Sequence, residues 1–187
     1  MRKLLAALII LILLLGGAAA FAYWYVSPPQ QLGLDYEEVP LRSRALDMAR
    51  RMSPELVLTE ADVNNLGRQQ VAAHRNYQPD VELTGARFRL EGGKLVADVT
   101  AKWKDRVPVG LQLTYRLRWA SPNLIAQVEE AKLKNVGLPA EAFDDIVIPL
   151  GNELPEPLHV NDIRIESDQL VVEFRKPSLQ DLRSLLG

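Results

Sequence analysis

The stretch VTAKWKDRVPVGLQLTYRLRW, residues 99–119, alternates apolar and polar side chains over nearly its whole length. Its odd positions carry Val, Ala, Trp, Leu and Tyr, whereas its even positions carry mostly Lys, Gln, Thr and Arg. A period of two is typical of β-strands with one buried and one solvated face. Because only Asp105 breaks the apolar series, we expect a turn there and an antiparallel strand on each side.

The same parity extends to the neighbouring segments and predicts how the strands pair. Slips of parity at Gly85-Ala86 and at Glu129-Glu130 predict β-bulges, which twist and bend a sheet. We expect a long, curved antiparallel meander with four reversals. The pairs across them are Phe88 with Ala97 around Gly92-Gly93, Trp103 with Val109 around a loop centred near Arg106, Tyr115 with Val128 around residues 120–123, and Ile163 with Val172 around residues 166–169.

Several segments outside the meander are predicted to be helical. Residues 40–52 place their apolar side chains on one stripe. Thr59 is a good N-cap for a second helix, and Asp62 completes an acidic variant of the capping box. A third helix is expected after Pro139, with Phe143, Ile146, Val147 and Leu150 on its apolar stripe. Residues 178–187 are expected to form a short amphipathic helix. The predicted fold class is therefore α+β, a curved antiparallel β-meander packed on two or three helices.

The N-terminal segment predicts one transmembrane helix. Residues 4–26 contain no charge and follow a Met-Arg-Lys start. As a helix they would span about 35 Å, and the aromatic residues 23–25 would close the span as an interfacial belt. The alternative is a cleaved signal peptide with its processing site at residues 20–22. Both interpretations place residues 27–187 outside the cytoplasmic membrane.

We therefore divide the chain into an N-terminal anchor or signal peptide (1–26), a short extended stalk (27–39) and an extracytoplasmic α+β domain (40–187). The predicted protein is single-pass with its N-terminus inside the cell, or is secreted if the N-terminal segment is cleaved. The absence of cysteine excludes disulfides and thiolate metal sites. With 22 basic and 24 acidic residues and no basic run, nucleic acid is not an expected partner.

The search for catalytic chemistry in the sequence finds no motif. The two histidines, His74 and His159, are isolated, and neither lies in a metal-ligand spacing. The chain has no nucleophile elbow and no phosphate-binding glycine loop. We expect no metal, no cofactor and no enzymatic activity, although an active site assembled from distant residues stays an alternative.

The apolar face of the meander is the remaining candidate for function. It could be an ordinary core closed by the helices. A long curved sheet with few covering helices could instead leave part of this face open as a groove for an acyl chain. The side chains predicted to line such a groove are Phe88, Trp103, Leu113, Tyr115, Leu117 and Trp119.

The order of motifs resembles the YpmS-like family of membrane-anchored extracytoplasmic proteins of Gram-positive bacteria. The segments that carry the resemblance are LTEADVNNL, VELTG, VEEAKLKNVGLPAEAFDDI and LHVNDIRIESDQLVVEFR, within residues 54–176. The chain also resembles bacterial tubular lipid-binding (TULIP-like) domains, in which a curved sheet wraps a helix around a lipid channel. This resemblance implies a non-catalytic lipid-binding role, with Phe143 and Ile146 lining one end of the channel.

Two functions therefore remain open. The first is a tethered module that holds or passes a membrane lipid or another acyl-chain ligand in an apolar groove. The second is an envelope scaffold with a filled core, which docks a cell-envelope protein through a sheet edge or its first helix. An apolar cavity against Trp103, Tyr115 and Trp119 would separate the first from the second.

Overall fold

A computed structural model of the protein describes residues 2–51, 53–150 and 159–175. This part of the chain is α+β, as predicted, with two antiparallel sheets and three α-helices. The helices are α1 Arg2–Val26, α2 Leu41–Arg50 and α3 Glu60–Ala73, and a 3₁₀ turn covers Ala140–Ala142. The predicted helix at residues 178–187 lies outside the described residues.

Ten strands form the two sheets. They are β1 Glu55–Thr59, β2 Asn76–Gln78, β3 Val81–Glu91, β4 Lys94–Trp103, β5 Val107–Ala120, β6 Asn123–Leu133, β7 Val136–Leu138, β8 Ile146–Ile148, β9 Val160–Glu166 and β10 Gln169–Phe174. The large sheet has the order β2-β3-β4-β5-β6-β7, and β8 also pairs with β6. The small sheet has the order β1-β10-β9.

The register confirms most of the predicted pairs. Phe88 lies opposite Ala97, Tyr115 opposite Val128, and Ile163 opposite Val172. The register shifts on β3 between Leu83 and Gly85, and Glu129 has no partner on β5 between Glu130 and Val128. The bulge at Glu129 is therefore where parity predicted it, whereas the other lies at Thr84, just before the predicted Gly85-Ala86.

The predicted register of β4 with β5 was wrong by two residues. Trp103 lies opposite Val107 rather than Val109. The chain reverses in three residues, because Lys104 and Asp105 both adopt positive φ angles of 50° and 56°. Parity requires an odd number of loop residues but does not fix that number, so a shorter turn satisfies the same alternation.

The helix predicted after Pro139 is also wrong. Residues Ala140–Ala142 form only a 3₁₀ turn, and Ile146–Ile148 form strand β8, which pairs with Leu124–Ala126 of β6. Ile146, Val147 and Ile148 are β-branched, and Pro149 follows them, so a strand is the better local fit. The spacing of the apolar residues had favoured a helix, but an unpaired edge of β6 satisfies the backbone of this segment instead.

Helix α3 begins at the predicted cap. The Thr59 hydroxyl accepts a hydrogen bond from the Asp62 amide, and the Asp62 carboxylate accepts one from the Thr59 amide. Arg44 of α2 donates to the same carboxylate at 2.7 Å. Partial burial by itself raises the pKa of Asp62, but the hydrogen bonds from Arg44 and Thr59 outweigh it, so the net pKa lies below its usual range. The same contact raises the pKa of Arg44.

Side chains of α3 also occupy the edge of β3. The amide of Phe88 donates to the Asn64 side chain and the amide of Leu90 donates to Glu60, both at 2.9 Å. Arg68 donates through Nε to the Ala86 carbonyl at 2.9 Å. These contacts complete the hydrogen bonding that a further strand would otherwise supply, and they hold α3 across one face of the large sheet.

That face, which we call the inner face, closes the core. Side chains from the large sheet, from the small sheet and from α2 and α3 form one buried apolar cluster. Its most enclosed members include Ala45, Ala86, Ala97, Ala131, Val172 and Phe174, all at most 2% exposed. The opposite face of the large sheet, the outer face, carries the charged and polar residues of β3, β4 and β5.

The N-terminal helix α1 is 25 residues long. Within the part of the chain whose side chains are described, which begins at Leu13, no helix is long and apolar enough to cross a membrane. The transmembrane span stays a prediction from the sequence.

Candidate functional site

The structure divides the eight predicted groove residues into three groups. Phe88, Leu113 and Tyr115 are buried in the middle of the inner face, at 8%, 8% and 4% exposure. The ring of Phe88 lies directly under Gly67 of α3, where an added Cβ would come within 2.4 Å of a ring carbon. The middle of the inner face is therefore tightly packed and offers no room for a ligand between α3 and β3.

A second group remains partly open at one end of the inner face. Leu117 and Trp119 of β5 and Phe143 after the 3₁₀ turn are half-buried against the core, and Ile146 of β8 is 41% exposed. The register runs from Leu117 through Ala126 to Ile146, so Leu117 and Ile146 lie on the same face of the sheet, on either side of β6. We call Leu117, Trp119, Phe143 and Ile146 the open end.

Trp103 lies apart from both groups. It ends β4 opposite Val81 and Val107, and it is 49% exposed with the Lys104 ammonium 5.1 Å from its ring centroid. Trp119 is twelve residues further along β5 than Val107, which corresponds to about 40 Å of strand. The predicted groove therefore does not run continuously along the sheet.

The predicted stalk makes contacts that the sequence interpretation missed. Residues 28–33, which we call the strap, lie against the outer face of β3, β4 and β5. The Gly33 carbonyl accepts from the Ala86 amide at 3.3 Å. A Cβ at Gly85 would lie 2.0 Å from the Leu32 carbonyl oxygen, and one at Gly110 would lie 2.8 Å from the Pro28 Cα.

The two glycines explain why the strap can approach so closely. They stand in register with Thr100 between them, in the order Gly85, Thr100, Gly110 across three strands. Thr100 is 6% exposed, so the crossing is covered. Two glycines on one face of adjacent amphipathic strands were a usable signal, because glycine in a strand often marks a close backbone approach.

Beside this crossing, the outer face carries ion pairs. Arg89 donates to Asp98 at 2.9 Å and also contacts Glu91, and Gln112 donates to the other Asp98 oxygen at 2.9 Å. Further along the sheet, Lys94 and Arg116 flank Glu129. The hydrogen bond from Lys94, with the nearby charge of Arg116, lowers the pKa of Glu129.

No catalytic or metal arrangement emerges from the described side chains. Within residues 2–51, 53–150 and 159–175, no group of three or more histidine, aspartate and glutamate side chains is placed to hold a metal ion. His74 caps the C-terminus of α3, with its Nδ1 3.1 Å from the Gln70 carbonyl oxygen. Comparison of the chain with known protein families, with curated proteins and with solved structures found no match in any of the three.

Proposed function

We propose that this protein is a membrane-anchored, extracytoplasmic lipid-binding module without catalytic activity. The observation that carries the proposal is the open end, where three half-buried apolar side chains and the exposed Ile146 lie at one end of the inner face. Burial of an acyl chain there would gain about 0.8 kcal/mol for each methylene group removed from water. The uncharged residues 4–26 would tether the domain to the cytoplasmic membrane. The likeness to the YpmS-like and TULIP-like proteins agrees with this proposal.

The packing of the core limits the proposed ligand site to one part of the inner face. Phe88, Leu113 and Tyr115 are part of the closed core, so in this proposal they support the site without lining it. The acyl chain would contact Leu117, Trp119, Phe143 and Ile146. The ligand site is then short, and it suits one chain end rather than a whole lipid.

The second candidate is a scaffold that docks a cell-envelope protein and holds no small ligand. The tight contact of Gly67 with Phe88 favours it, because the middle of the predicted channel is filled. Docking at the edge of β3 is disfavoured, since Asn64, Glu60 and Arg68 already bind the backbone of residues 86–90. A partner would have to use the open end itself or another edge of the sheets.

Native mass spectrometry tests the proposal on residues 27–187, prepared without α1 and without detergent. We expect a co-purifying mass in the range of a fatty acid or phospholipid. Trp119→Asp should abolish it, because a carboxylate at the open end is incompatible with an apolar ligand. Tyr36→Asp is the matched control, since Tyr36 is a 41% exposed aromatic residue outside the open end. A folded protein that stays free of lipid after incubation with phospholipid vesicles would favour the scaffold.

A further inference from the structure

The strap and the outer face enclose an open cleft of about 370 Å³ on the side of the large sheet opposite the core. Pro28, Pro29, Gln30 and Leu32 form its strap wall, and the facing wall comes from β3, β4 and β5 together with Lys134. The strap packs closely on Gly85 and Gly110, and these two contacts fix its position. The shape of the cleft is therefore set in part by backbone atoms and does not depend on flexible side chains alone.

The charges lining the cleft are unbalanced. Three cationic side chains, Arg87, Arg89 and Lys134, face a single carboxylate, Asp98. Asp98 is already engaged by Arg89 and Gln112. Arg87 donates to the neutral Gln30 amide oxygen at 3.4 Å, and among the described residues neither Arg87 nor Lys134 forms an ion pair with a carboxylate. Two positive charges therefore lie at the cleft without an anionic partner among the described residues.

The cleft also adjoins the C-terminal end of α1. The Lys134 ammonium donates to the Trp24 carbonyl at 3.2 Å and lies 5.1 Å and 5.2 Å from the ring centroids of Trp24 and Tyr25. Aromatic residues of this kind mark the level of lipid headgroups when a helix crosses a bilayer. The lysine links the aromatic end of α1 directly to the cationic cleft.

We propose that this cleft binds the phosphate group of an anionic glycerophospholipid headgroup. Arg87 and Lys134 supply the free positive charge, and Arg89, held in place by Asp98, adds a fixed guanidinium. Guanidinium groups match phosphate oxygens through paired hydrogen bonds. The quaternary ammonium of a zwitterionic headgroup would add a positive charge beside Arg87, Arg89 and Lys134, so an anionic headgroup is favoured. This inference rests on the proposed membrane anchoring, because the headgroup comes from the membrane that α1 would enter.

The headgroup site and the acyl site are separate. The cleft lies on the outer face near Gly110, whereas the open end lies on the inner face around Trp119, nine residues along β5 or about 30 Å of strand. One phospholipid therefore does not fill both sites. The headgroup site orients the domain at the membrane surface, and the open end faces away from that contact along the strand.

Calorimetric titration of the full chain in a neutral detergent tests the cleft. Three soluble probes distinguish the sources of phosphate: glycerophosphoglycerol, which is a deacylated anionic headgroup, glycerophosphocholine, which is zwitterionic, and inorganic phosphate. We expect saturable binding of glycerophosphoglycerol that is tighter than binding of the other two. Arg87→Gln and Lys134→Gln should each weaken it by about tenfold, the effect of losing one charge-assisted contact.

Arg118→Gln is the matched control. Arg118 is an exposed arginine on β5 outside the cleft, so its loss changes the net charge equally and should alter the affinity by less than about twofold. Arg87→Lys keeps the charge but loses the paired hydrogen bonds, so it should restore only part of the binding that Arg87→Gln loses. Partial recovery would show that the loss in Arg87→Gln comes from the lost charge and not from misfolding.

Several results would overturn the inference. Equal weakening by Arg118→Gln would show that binding is non-specific, and tighter binding of inorganic phosphate would assign the cleft to free phosphate rather than a headgroup. Absence of saturable binding by any probe would remove the site. The lipid content of Trp119→Asp, read in parallel, reports on the acyl site alone, so failure of the cleft and failure of the lipid-binding function are distinguishable.

Discussion

The inner and outer faces of the large sheet are made by the same strands, yet different parts of the chain cover them. The inner face is closed in its middle by α3 and the small sheet, with Phe88 and Tyr115 at most 8% exposed. Within the part of the chain that the structure describes, the strap crosses the outer face and rests on Gly85 and Gly110. The inner face therefore contributes apolar burial against the helices and the small sheet, whereas the outer face fixes the position of the N-terminal segment and leaves charged groups accessible.

The largest expected effect comes from emptying the closed middle. Phe88→Ala should lower the free energy of unfolding by about 3–5 kcal/mol, because it leaves a cavity beneath Gly67 of α3. Trp119→Ala at the open end should cost only about 1–2 kcal/mol, since that side chain is less completely buried than Phe88. Urea unfolding of residues 27–187 measures both. Equal losses would show that Trp119 is ordinary core and would remove the distinction between the two regions.

A smaller effect is expected where the strap crosses the outer face. Gly85→Ala should cost about 1–3 kcal/mol, because the new methyl group meets the Leu32 carbonyl and the strap must move. Limited digestion with a glutamate-specific protease should cut faster after Glu37 or Glu38. Gly137→Ala is the control, with nothing within 4 Å of its added Cβ, and should change stability by less than about 0.5 kcal/mol. If Gly85→Ala is digested at the same rate as the wild-type protein, this would contradict the contact of the strap with Gly85.

The start of α3 offers a pH-dependent test of how the inner face is covered. Asp62→Asn should cost about 1 kcal/mol at pH 7, because it weakens the capping box and the contact with Arg44. Since the folded-state pKa of Asp62 is lowered, its stabilisation is present above the unfolded-state pKa and is lost as pH falls through the folded-state pKa. The wild-type protein should therefore lose stability between about pH 5 and pH 3 more steeply than Asp62→Asn.

The measurement is thermal unfolding of both proteins across this pH range. Asp47→Asn removes an exposed carboxylate of α2 and should leave the unfolding free energy at pH 7 nearly unchanged. If the wild-type protein and Asp62→Asn lose stability equally steeply as the pH falls, Asp62 does not have the expected role.

The smallest effect is expected from the exposed ion pairs of the outer face. Lys94→Gln should raise the pKa of Glu129 more than Arg116→Gln does, because the hydrogen bond from Lys94 is the largest cause of the lowering. Neither substitution should shift the unfolding midpoint by a resolvable amount. Carboxylate titration by NMR provides the readout. A larger rise in the pKa of Glu129 in Arg116→Gln would contradict the conclusion that Lys94 lowers this pKa more than Arg116 does.

The parts of the fold that follow from local rules could be predicted from the sequence. Alternation and parity were enough for most pairs of the meander and for the bulge at Glu129, and the Thr59-x-x-Asp62 spacing was enough for the start of α3. The β4–β5 loop and strand β8 could not be predicted this way. A turn of positive φ at Lys104 and Asp105 carries no glycine signal, and the pairing of β8 depends on an open edge of β6 that is distant in sequence.

The apolar character of the candidate site could be predicted from the sequence, but its position on the inner face could not. Apolar parity put Phe88, Leu117 and Trp119 in one set, but which of them the core covers depends on where α3 lies, and no local pattern contains that information. The strap was overlooked because a proline-rich connection resembles a linker. Its contacts become visible only when Gly85 and Gly110 are seen to be neighbours across Thr100.

Photolabelling most directly tests whether the inner face ends in a lipid site. The full chain in native membranes would be irradiated with a diazirine-bearing fatty acid, and the labelled residues would be mapped by peptide mass spectrometry. We predict labels at Leu117, Trp119, Phe143 or Ile146, competed by unlabelled fatty acid and absent from the exposed Trp103. Uncompeted labels spread equally over Trp103 and the open end, or no label in residues 107–148, would contradict the proposed function.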